Sequence, residues 1–324
     1  MKVRIDYYRR IFPAYFSGRK SHLTFWHGTP LVNENFKVGK IGEYYMPFIY
    51  KANYNGHYDN KGIPMLDYHG KVGLQYNPIA IAQYGLGNYN LFKRTGDRGR
   101  YKKFIKAADW LVGNLEVNHN GIYVWNHHFD WEYRGILKKP WYSALSQGQG
   151  ISLLVRAYIE TKDEDYLNCA KRAFVSLEKE VNEGGVKYTD ENSYVWFEEA
   201  IVNPPTHILN GFIWASWGVY DFYLLTKEKN VKDLFDQAIV TLKANLNKFD
   251  IGFWSLYDLS GKTFKRIASP FYHSLHIVQL KVMHRLTGKE FFRKYAEKWE
   301  GYQKKRLNRN LALLCKAVTK ILHY

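Results

Sequence analysis

A mainly α-helical fold is predicted: an incomplete (α/α) toroid of about four helical hairpins with a β-rich N-terminal arm. Three observations lead to it. Four segments repeat one pattern: an apolar helix, a turn marked by Thr, then a charged amphipathic helix. They open with PIAIAQYGLGNYN, SALSQGQGISLL, THILNGFIWASWGV and FYHSLHIVQLKV, and the turn residues Thr95, Thr161, Thr226 and Thr287 lie 66, 65 and 61 residues apart. Second, the first helix of each pair is apolar nearly all round yet carries isolated Gln, Asn or His, as an inner helix facing a central cavity would. Third, the Gly- and aromatic-rich stretches GIYVWNHHFDWEYRG, GGVKYTDENSYVWFEE and DIGFWSLYDL each precede an inner helix. They should therefore gather at one rim.

In chain order, residues 1–75 lack helical periodicity and read as the β-rich arm, with short aromatic strands around GEYYMPFIYKANY and a turn at PMLDYHGKVG. Residues 76–308 form the toroid. Each turn threonine ends one helix, and the Asp, Glu or Lys that follows suits a short turn into a new N-cap. The outer helices read as amphipathic, as in KDEDYLNCAKRAF, where apolar positions recur at three and four. Pro204 and Pro205 suit the start of the third inner helix, with Thr206 near its N-cap. Residues 309–324 form a last amphipathic helix whose short apolar face suits docking on the body rather than on a membrane.

Composition bounds the function. The chain has 324 residues, 47 Lys+Arg against 30 Asp+Glu, and a formal net charge of +17. Such a field favours a polyanionic partner: nucleic acid, anionic membrane or acidic polysaccharide. Nucleic acid is disfavoured, because no zinc-finger spacing, RNP-like motif or tight Arg run is present and the basic residues are dispersed. Stable membrane insertion is disfavoured because no apolar run reaches roughly 18 residues. The N-terminal MKVRIDYYRRIFPAYFSGRK is basic and aromatic without the apolar core of a secretory signal, so a cytoplasmic location is expected if the source is prokaryotic. Cys169 and Cys315 read as core residues, with no disulfide framework or metal spacing. The 27 Tyr, 19 Phe and 10 Trp suit surfaces that are apolar on one side and hydrogen-bonding on the other, as carbohydrate sites are.

The rim stretches and inner-helix starts hold the candidate chemistry. Glu198 and Glu199 stand in YVWFEEAIVNPPTHILNGFIW, behind Trp196 and Phe197. Tyr257 and Asp258 lie in the third rim stretch, and Tyr272, His273 and His276 open the fourth inner helix. Gln83, Gln147, Gln149 and Asn210 are the polar residues of the other three. Each has a plainer reading. The two glutamates could complement the positive end of the following helix. His273 and His276 share a helical face, but no third ligand stands at metal spacing, so packing or sugar binding is favoured and no metal is expected. By themselves these residues name no reaction.

Five stretches carry more. In order, QYNPIAIAQYGLGNYN (Gln75–Asn90), WYSALSQGQGISLLVRAYIETKDEDYLNCAKRAF (Trp141–Phe174), WFEEAIVNPPTHILNGF, SLYDL and YHSLHIVQL resemble the D-glucuronyl C5-epimerase family of heparan sulfate and heparosan biosynthesis, over residues 70–305. The resemblance implies an (α/α) barrel preceded by β structure, a homodimer, and an isomerase converting D-glucuronate to L-iduronate within an acidic, heparosan-like polysaccharide. Carried over position by position, its catalytic residues are Glu199, Tyr257 and Tyr272. Two positions depart from the family pattern. Ala200-Ile201 stand where Tyr-Pro follows the glutamates, and Ser260 stands where Arg commonly follows Tyr-Asp-Leu, with Lys262, Lys265 and Arg266 nearby.

Epimerisation at C5 removes a proton alpha to a carboxylate and returns one to the opposite face. It needs an acid/base group on each face and cations or donors on the carboxylate, but no metal or redox cofactor. Glu199 and Tyr272 are expected to be the opposed pair, with Tyr257 bracing the sugar. Apolar neighbours should raise the pKa of Glu199 toward neutrality, and a nearby Lys or Arg should lower a tyrosine toward its phenolate. Expected polymer contacts are Tyr76, Asn77, Gln83, Gln147, Asn210, His273 and His276, with Arg266 for the carboxylate. Rival functions are a uronate polysaccharide lyase, which begins with the same abstraction, a glycoside hydrolase using Glu199 with Asp258, and a non-catalytic acidic-polysaccharide-binding protein.

Overall fold

The computed structural model describes residues 28–260 and 265–323, so residues 1–27 of the arm and Lys262 lie outside the described residues. Residues 28–75 carry a single-turn helix, α1 (Ile49–Ala52), and a three-stranded antiparallel sheet of β1 (His57–Tyr58), β2 (Pro64–Asp67) and β3 (Leu74–Gln75). The run Tyr44–Phe48, expected as a strand, forms none. All five of its residues are buried, whereas a strand would turn alternate side chains to opposite faces. Its backbone pairs with a side chain instead: Tyr44 N donates to Asn90 Oδ1 at 2.7 Å, and Asn90 Nδ2 donates to Met46 O at 2.9 Å.

Four hairpins follow: α2 (Pro78–Thr95) with α3 (Arg98–Gly113), α4 (Ala144–Thr161) with α5 (Glu164–Glu178), α6 (Leu209–Thr226) with α7 (Lys229–Asn245), and α8 (Pro270–Thr287) with α9 (Glu290–Lys304). Each turn uses the same device. The threonine is the last residue of the inner helix, and its hydroxyl accepts the N–H two residues on, at 3.1 to 3.3 Å. Between them stands a left-handed residue, Gly96, Lys162, Lys227 or Gly288, whose N–H returns to the carbonyl four residues earlier. The turn thus satisfies helix-end groups that burial would otherwise strand.

Inner helices pack on one another in order, α2 on α4, α4 on α6 and α6 on α8, with the outer helices behind them. This is an (α/α) toroid. Helix α6 is buried without a gap from Leu209 to Phe222, while α7 buries one stripe that includes Val231, Leu234, Phe235 and Ala238. Glycine permits the closest crossing: a Cβ on Gly218 would lie 2.4 Å from the Gly148 Cα, so α4 and α6 meet backbone to backbone. The arm fastens to this ring through a fully buried ion pair. Arg156 Nη1 lies 2.7 Å from Asp221 Oδ2, Tyr45 donates to Asp221 Oδ1 at 2.6 Å, and Arg156 Nε donates to Gly42 O at 2.8 Å.

The rim stretches carry two-stranded ribbons: β4 (Glu116–Val117) with β5 (Tyr123–Val124), β6 (Trp131–Glu132) with β7 (Ile136–Leu137), and β8 (Lys187–Thr189) with β9 (Val195–Phe197). They interlock as well as gather. Ala144 N donates to Glu198 O at 2.9 Å, Leu209 N to Tyr257 O at 3.2 Å, and Leu259 N to Thr206 O at 2.8 Å. The last pairing corrects the reading of Pro204-Pro205 as a helix start. Thr206 is bonded to the third rim stretch, and α6 begins at Leu209.

The final helix, α10 (Arg306–His323), starts three residues before the expected boundary and packs on α9, with Ala312 buried and Cys315 against the main core. Among the described residues no helix is long and apolar enough to cross a membrane.

Candidate active site

Glu199 follows β9, Tyr257 lies in the third rim stretch, and Tyr272 stands in the first turn of α8. The structure brings these three together. The Tyr257 and Tyr272 rings meet edge to face with centroids 4.8 Å apart, and Tyr257 hydrogen-bonds the Tyr272 oxygen. Glu199 acts electrostatically on both phenols, and its Oε2 accepts from Asn210 Nδ2 at 3.2 Å. All three remain half-buried, so each keeps some accessible surface.

The adjacent acids part company. Glu198 is buried, with Oε1 2.5 Å from His207 Nδ1 and Oε2 accepting from His207 N at 3.2 Å. His207 is left-handed (φ 52°), a costly conformation for a residue with a Cβ, and stacks on Trp196 at 4.2 Å. Glu198 therefore pins a strained loop, and Glu199 is left to face the tyrosines. An open surface hollow lined by Tyr188, Asp190, Trp196, His207 and Lys248 lies on the Glu198 side.

Arg266 completes the cluster. Its guanidinium lies 4.8 Å from the Tyr133 ring centroid and 5.3 Å from that of Tyr257, and Nη1 donates to Asp258 Oδ2 at 2.7 Å. Asp258 also accepts from the Tyr133 hydroxyl at 2.8 Å, from Ser260 N at 3.1 Å and from the Ser260 hydroxyl. Buried and engaged at both oxygens, Asp258 holds Arg266 in place. It is poorly suited to be the second carboxylate of a hydrolase, which needs an oxygen turned toward substrate or water.

Burial pushes Glu199 up to about 8. The Asn210 bond opposes this, Asp258 and Glu198 add to it, and Arg266 counts least. Burial also raises Tyr272 and Tyr257, with the Glu199 charge second; the Arg266 cation opposes both without prevailing. The expectation of a cation-stabilised phenolate is thereby corrected: desolvation dominates, and both tyrosines rest as neutral phenols.

The expected polymer contacts divide. Asn210 touches Glu199, and Arg266 lies against Tyr257. Gln83 Nε2 donates to Gln149 Oε1 at 2.8 Å, while its Oε1 accepts from Lys51 of the arm, whose ammonium burial lowers to about 7. Buried Gln147 Oε1, Asn210 Oδ1 and Trp214 Nε1 have no partner, so the inner helices hold donors and acceptors that a polar ligand can satisfy.

Four others are corrected. Asn77 is the N-cap of α2, its Oδ1 accepting from Ala80 N at 3.2 Å and its Nδ2 donating to Tyr68 at 2.6 Å. Tyr76 packs on Trp110 of the outer helix α3 and donates to Asp59 at 2.7 Å. His273 is buried against Trp254, 3.8 Å between centroids, with its nitrogens on Ser255 Oγ and Trp299 O. His276 shares that serine at 3.0 Å and is also buried. Burial keeps both imidazoles neutral by lowering their pKa values. Asn77, Tyr76 and His273 spend their polar atoms on structural partners, and His276 spends Nδ1 on Ser255 while its buried Nε2 has no partner. Among the described residues no group of three or more His, Cys, Asp or Glu could hold a metal ion.

Sequence reasoning missed Tyr133 and Gly211. Tyr133 is 125 residues from its partner Asp258, and nothing local marks it. Gly211 sits under Glu199: a Cβ there would lie 2.1 Å from Oε2 and 2.7 Å from the Glu199 Cβ.

Residues 119–301 match the family model described as the D-glucuronyl C5-epimerase C-terminus. The chain belongs to this family. It is 31% identical over 214 residues to a D-glucuronyl C5-epimerase from Caenorhabditis elegans, covering 61% of this chain and 34% of that protein. An uncharacterized protein of Methanocaldococcus jannaschii is also 31% identical, over 198 residues, covering 60% of this chain and 63% of that one. The chain thus spans about a third of the worm relative and under two thirds of the archaeal one. The Lin0763 protein from Listeria innocua superposes with a TM-score of 0.52 at 14% identity, covering 86% of this chain and 78% of that chain, a likeness of fold alone. The family match spans Glu199, Tyr257 and Tyr272 as well as Asp258, Arg266 and Tyr133. It leaves out the arm and α10.

Proposed function

We propose that this chain is an isomerase that inverts C5 of D-glucuronate to L-iduronate within an acidic, heparosan-like polysaccharide. One observation carries the reading: a carboxyl poised near neutrality faces two phenols that stay protonated, beside an arginine held by its own acid. Groups whose pKa values are pushed apart in this way divide naturally into base and acid.

Ionised Glu199 takes the C5 proton. The C5–H bond breaks, a Glu199 O–H bond forms, and the electron pair moves into the sugar carboxylate. Arg266 stabilises the dianion that results, and the inner-helix N-termini add positive potential at the same rim. Tyr272 then gives its hydroxyl proton to the opposite face of C5, and the phenolate left behind is stabilised by Tyr257 and Arg266. Proton exchange returns Tyr272 to the phenol and Glu199 to the carboxylate. Orphan amides along the inner helices, Gln147 and Asn210 among them, supply the hydrogen bonds that hold the sugar.

The test is NMR of heparosan incubated with the protein in heavy water. Expected are deuterium at C5 and new L-iduronate signals without chain cleavage. Tyr272→Phe should still exchange the C5 hydrogen through Glu199 while losing inversion. An unsaturated chain end would assign the site to a lyase, and new reducing ends to a hydrolase. Salt-dependent binding with no exchange would reduce it to a polysaccharide-binding protein.

A further inference from the structure

A second cation stands near Arg266. Arg266 is matched by Asp258 at 2.7 Å, and Tyr133 and Ser260 take up the rest of that carboxylate's capacity. Glu199 holds its proton near neutrality, and both tyrosines are neutral. A further cation then arrives from outside the toroid. Lys316 of α10 is half-buried, with its Nζ 3.3 Å from the carbonyl of Ile267, the residue after Arg266. It interacts electrostatically with both Arg266 and Asp258. Burial and then the Arg266 charge loosen the Lys316 proton, lowering its pKa to about 8, with Asp258 opposing. Arg266 is thus paired with Asp258, and Lys316 stands on the next residue's carbonyl within electrostatic reach of both. With Asp258 already engaged by Arg266, Tyr133 and Ser260, an incoming carboxylate would meet both cations.

Helix α10 is placed to make this contact dependable. It is seated by Ala312 and Cys315, one turn and one residue before Lys316, and both face the main core. Position 316 lies beyond the stretch matched by the family model, so the family pattern does not predict a cation there.

We infer that Lys316 is a substrate-positioning cation that, together with Arg266, receives the carboxylate of the sugar acid. This rests on the epimerase reading given above. Deprotonation at C5 adds charge to that carboxylate, so a second cation beside it strengthens ground-state binding and the dianion alike.

The experiment compares wild type, Lys316→Met and Lys316→Arg. It measures binding to heparosan oligosaccharides and to the same oligosaccharides with carboxyls reduced to alcohols, at two salt concentrations. Lys316→Met removes the charge and keeps an unbranched aliphatic side chain. It is expected to bind the acidic oligosaccharide roughly tenfold more weakly, the size of one lost charge-assisted contact, with a shallower salt dependence. KM should rise accordingly, Lys316→Arg should restore most of the binding, and the reduced oligosaccharide should not distinguish the three proteins. Equal binding of the acidic ligand by wild type and Lys316→Met would overturn the inference and leave the epimerase reading intact. So would equal weakening toward acidic and reduced ligands, which is the mark of a loosened helix. Failure of wild type itself to bind the acidic oligosaccharide would sink the broader reading, and this inference with it.

Discussion

Two polar clusters lie inside the same ring of helices, and they are finished differently. At one end Arg156 and Asp221 are fully buried and matched, with Tyr45, Ser152 and Gly42 taking up further hydrogen bonds. At the other, Glu199 accepts one hydrogen bond, from Asn210 Nδ2, and the buried Oδ1 of that same Asn210 has no partner. Arg156 is nine residues from Gln147 along α4, about 14 Å at helical rise, so one helix serves both ends. Composition does not separate the clusters, since each has an acid, an arginine and tyrosines. Satisfaction does. Where both carboxylate oxygens are matched by a guanidinium and a phenol, the cluster fixes the arm to the toroid; where the carboxylate accepts a single amide bond, the cluster has capacity left for a ligand.

The sharpest way to break this comparison is to remove one acid from each end. Glu199→Gln is expected to lower turnover on the order of a thousandfold or more, as loss of a proton-transfer group does, and to fold normally. Its stability should also differ in pH dependence. The folded-state pKa of Glu199 is raised from an ordinary 4.5 to about 8, so between those values the folded protein holds a proton the unfolded chain releases. Stability from this group is fully present below the unfolded value and is lost as pH rises through about 8. Denaturant midpoints followed from pH 6 to 9 should therefore fall more steeply for wild type than for Glu199→Gln. Asp221→Asn is the opposite case. It leaves the buried Arg156 charge unmatched and should cost about 3–5 kcal/mol, while turnover per folded molecule stays near wild type. If Asp221→Asn lost turnover at constant stability, the contrast between the two ends would fail.

A smaller effect tests geometry rather than charge. Gly211→Ala removes no functional group but puts a methyl where Glu199 now lies, within 2.1 Å of Oε2. The carboxylate end can swing aside, but the Glu199 Cβ at 2.7 Å cannot do so without moving backbone. Turnover should fall on the order of a hundredfold, the usual consequence of roughly 1 Å of misplacement, with little change in binding. A kcat within twofold of wild type would mean that Glu199 need not sit where it does.

How much of this was legible in the sequence follows the range of the interactions. The hairpins were visible because a Thr turn and an apolar inner helix are local patterns that recur four times. The gathering of the rim stretches followed from topology. Glu199, Tyr257 and Tyr272 came from resemblance, since no spacing rule links residues on three separate elements. What stayed hidden was long-range or directional. Glu198 and Glu199 are neighbours in identical company, and only the left-handed turn at His207 decides which is structural. Tyr133 and Lys316 reach the cluster from remote parts of the chain. The phenolate expectation erred for another reason: a cation near a phenol is visible in sequence, but the desolvation that outweighs it is not.

Asn77 is the mildest probe, and it isolates a misreading whose correction was available. Asn immediately before Pro, ahead of an apolar periodic run, is the signature of an N-cap followed by proline at the first helical position. The Asn77 side chain is used in that way, with Oδ1 on Ala80 N and Nδ2 on Tyr68, so the cap already engages both of its polar atoms. Asn77→Ala should therefore lower stability by about 1 kcal/mol, as loss of a cap does, with KM for the polymer unchanged. Asn77→Asp keeps the acceptor for Ala80 N and should recover most of that loss. A rise in KM for either variant, at unaltered stability, would return Asn77 to the binding surface and place the start of α2 in the site.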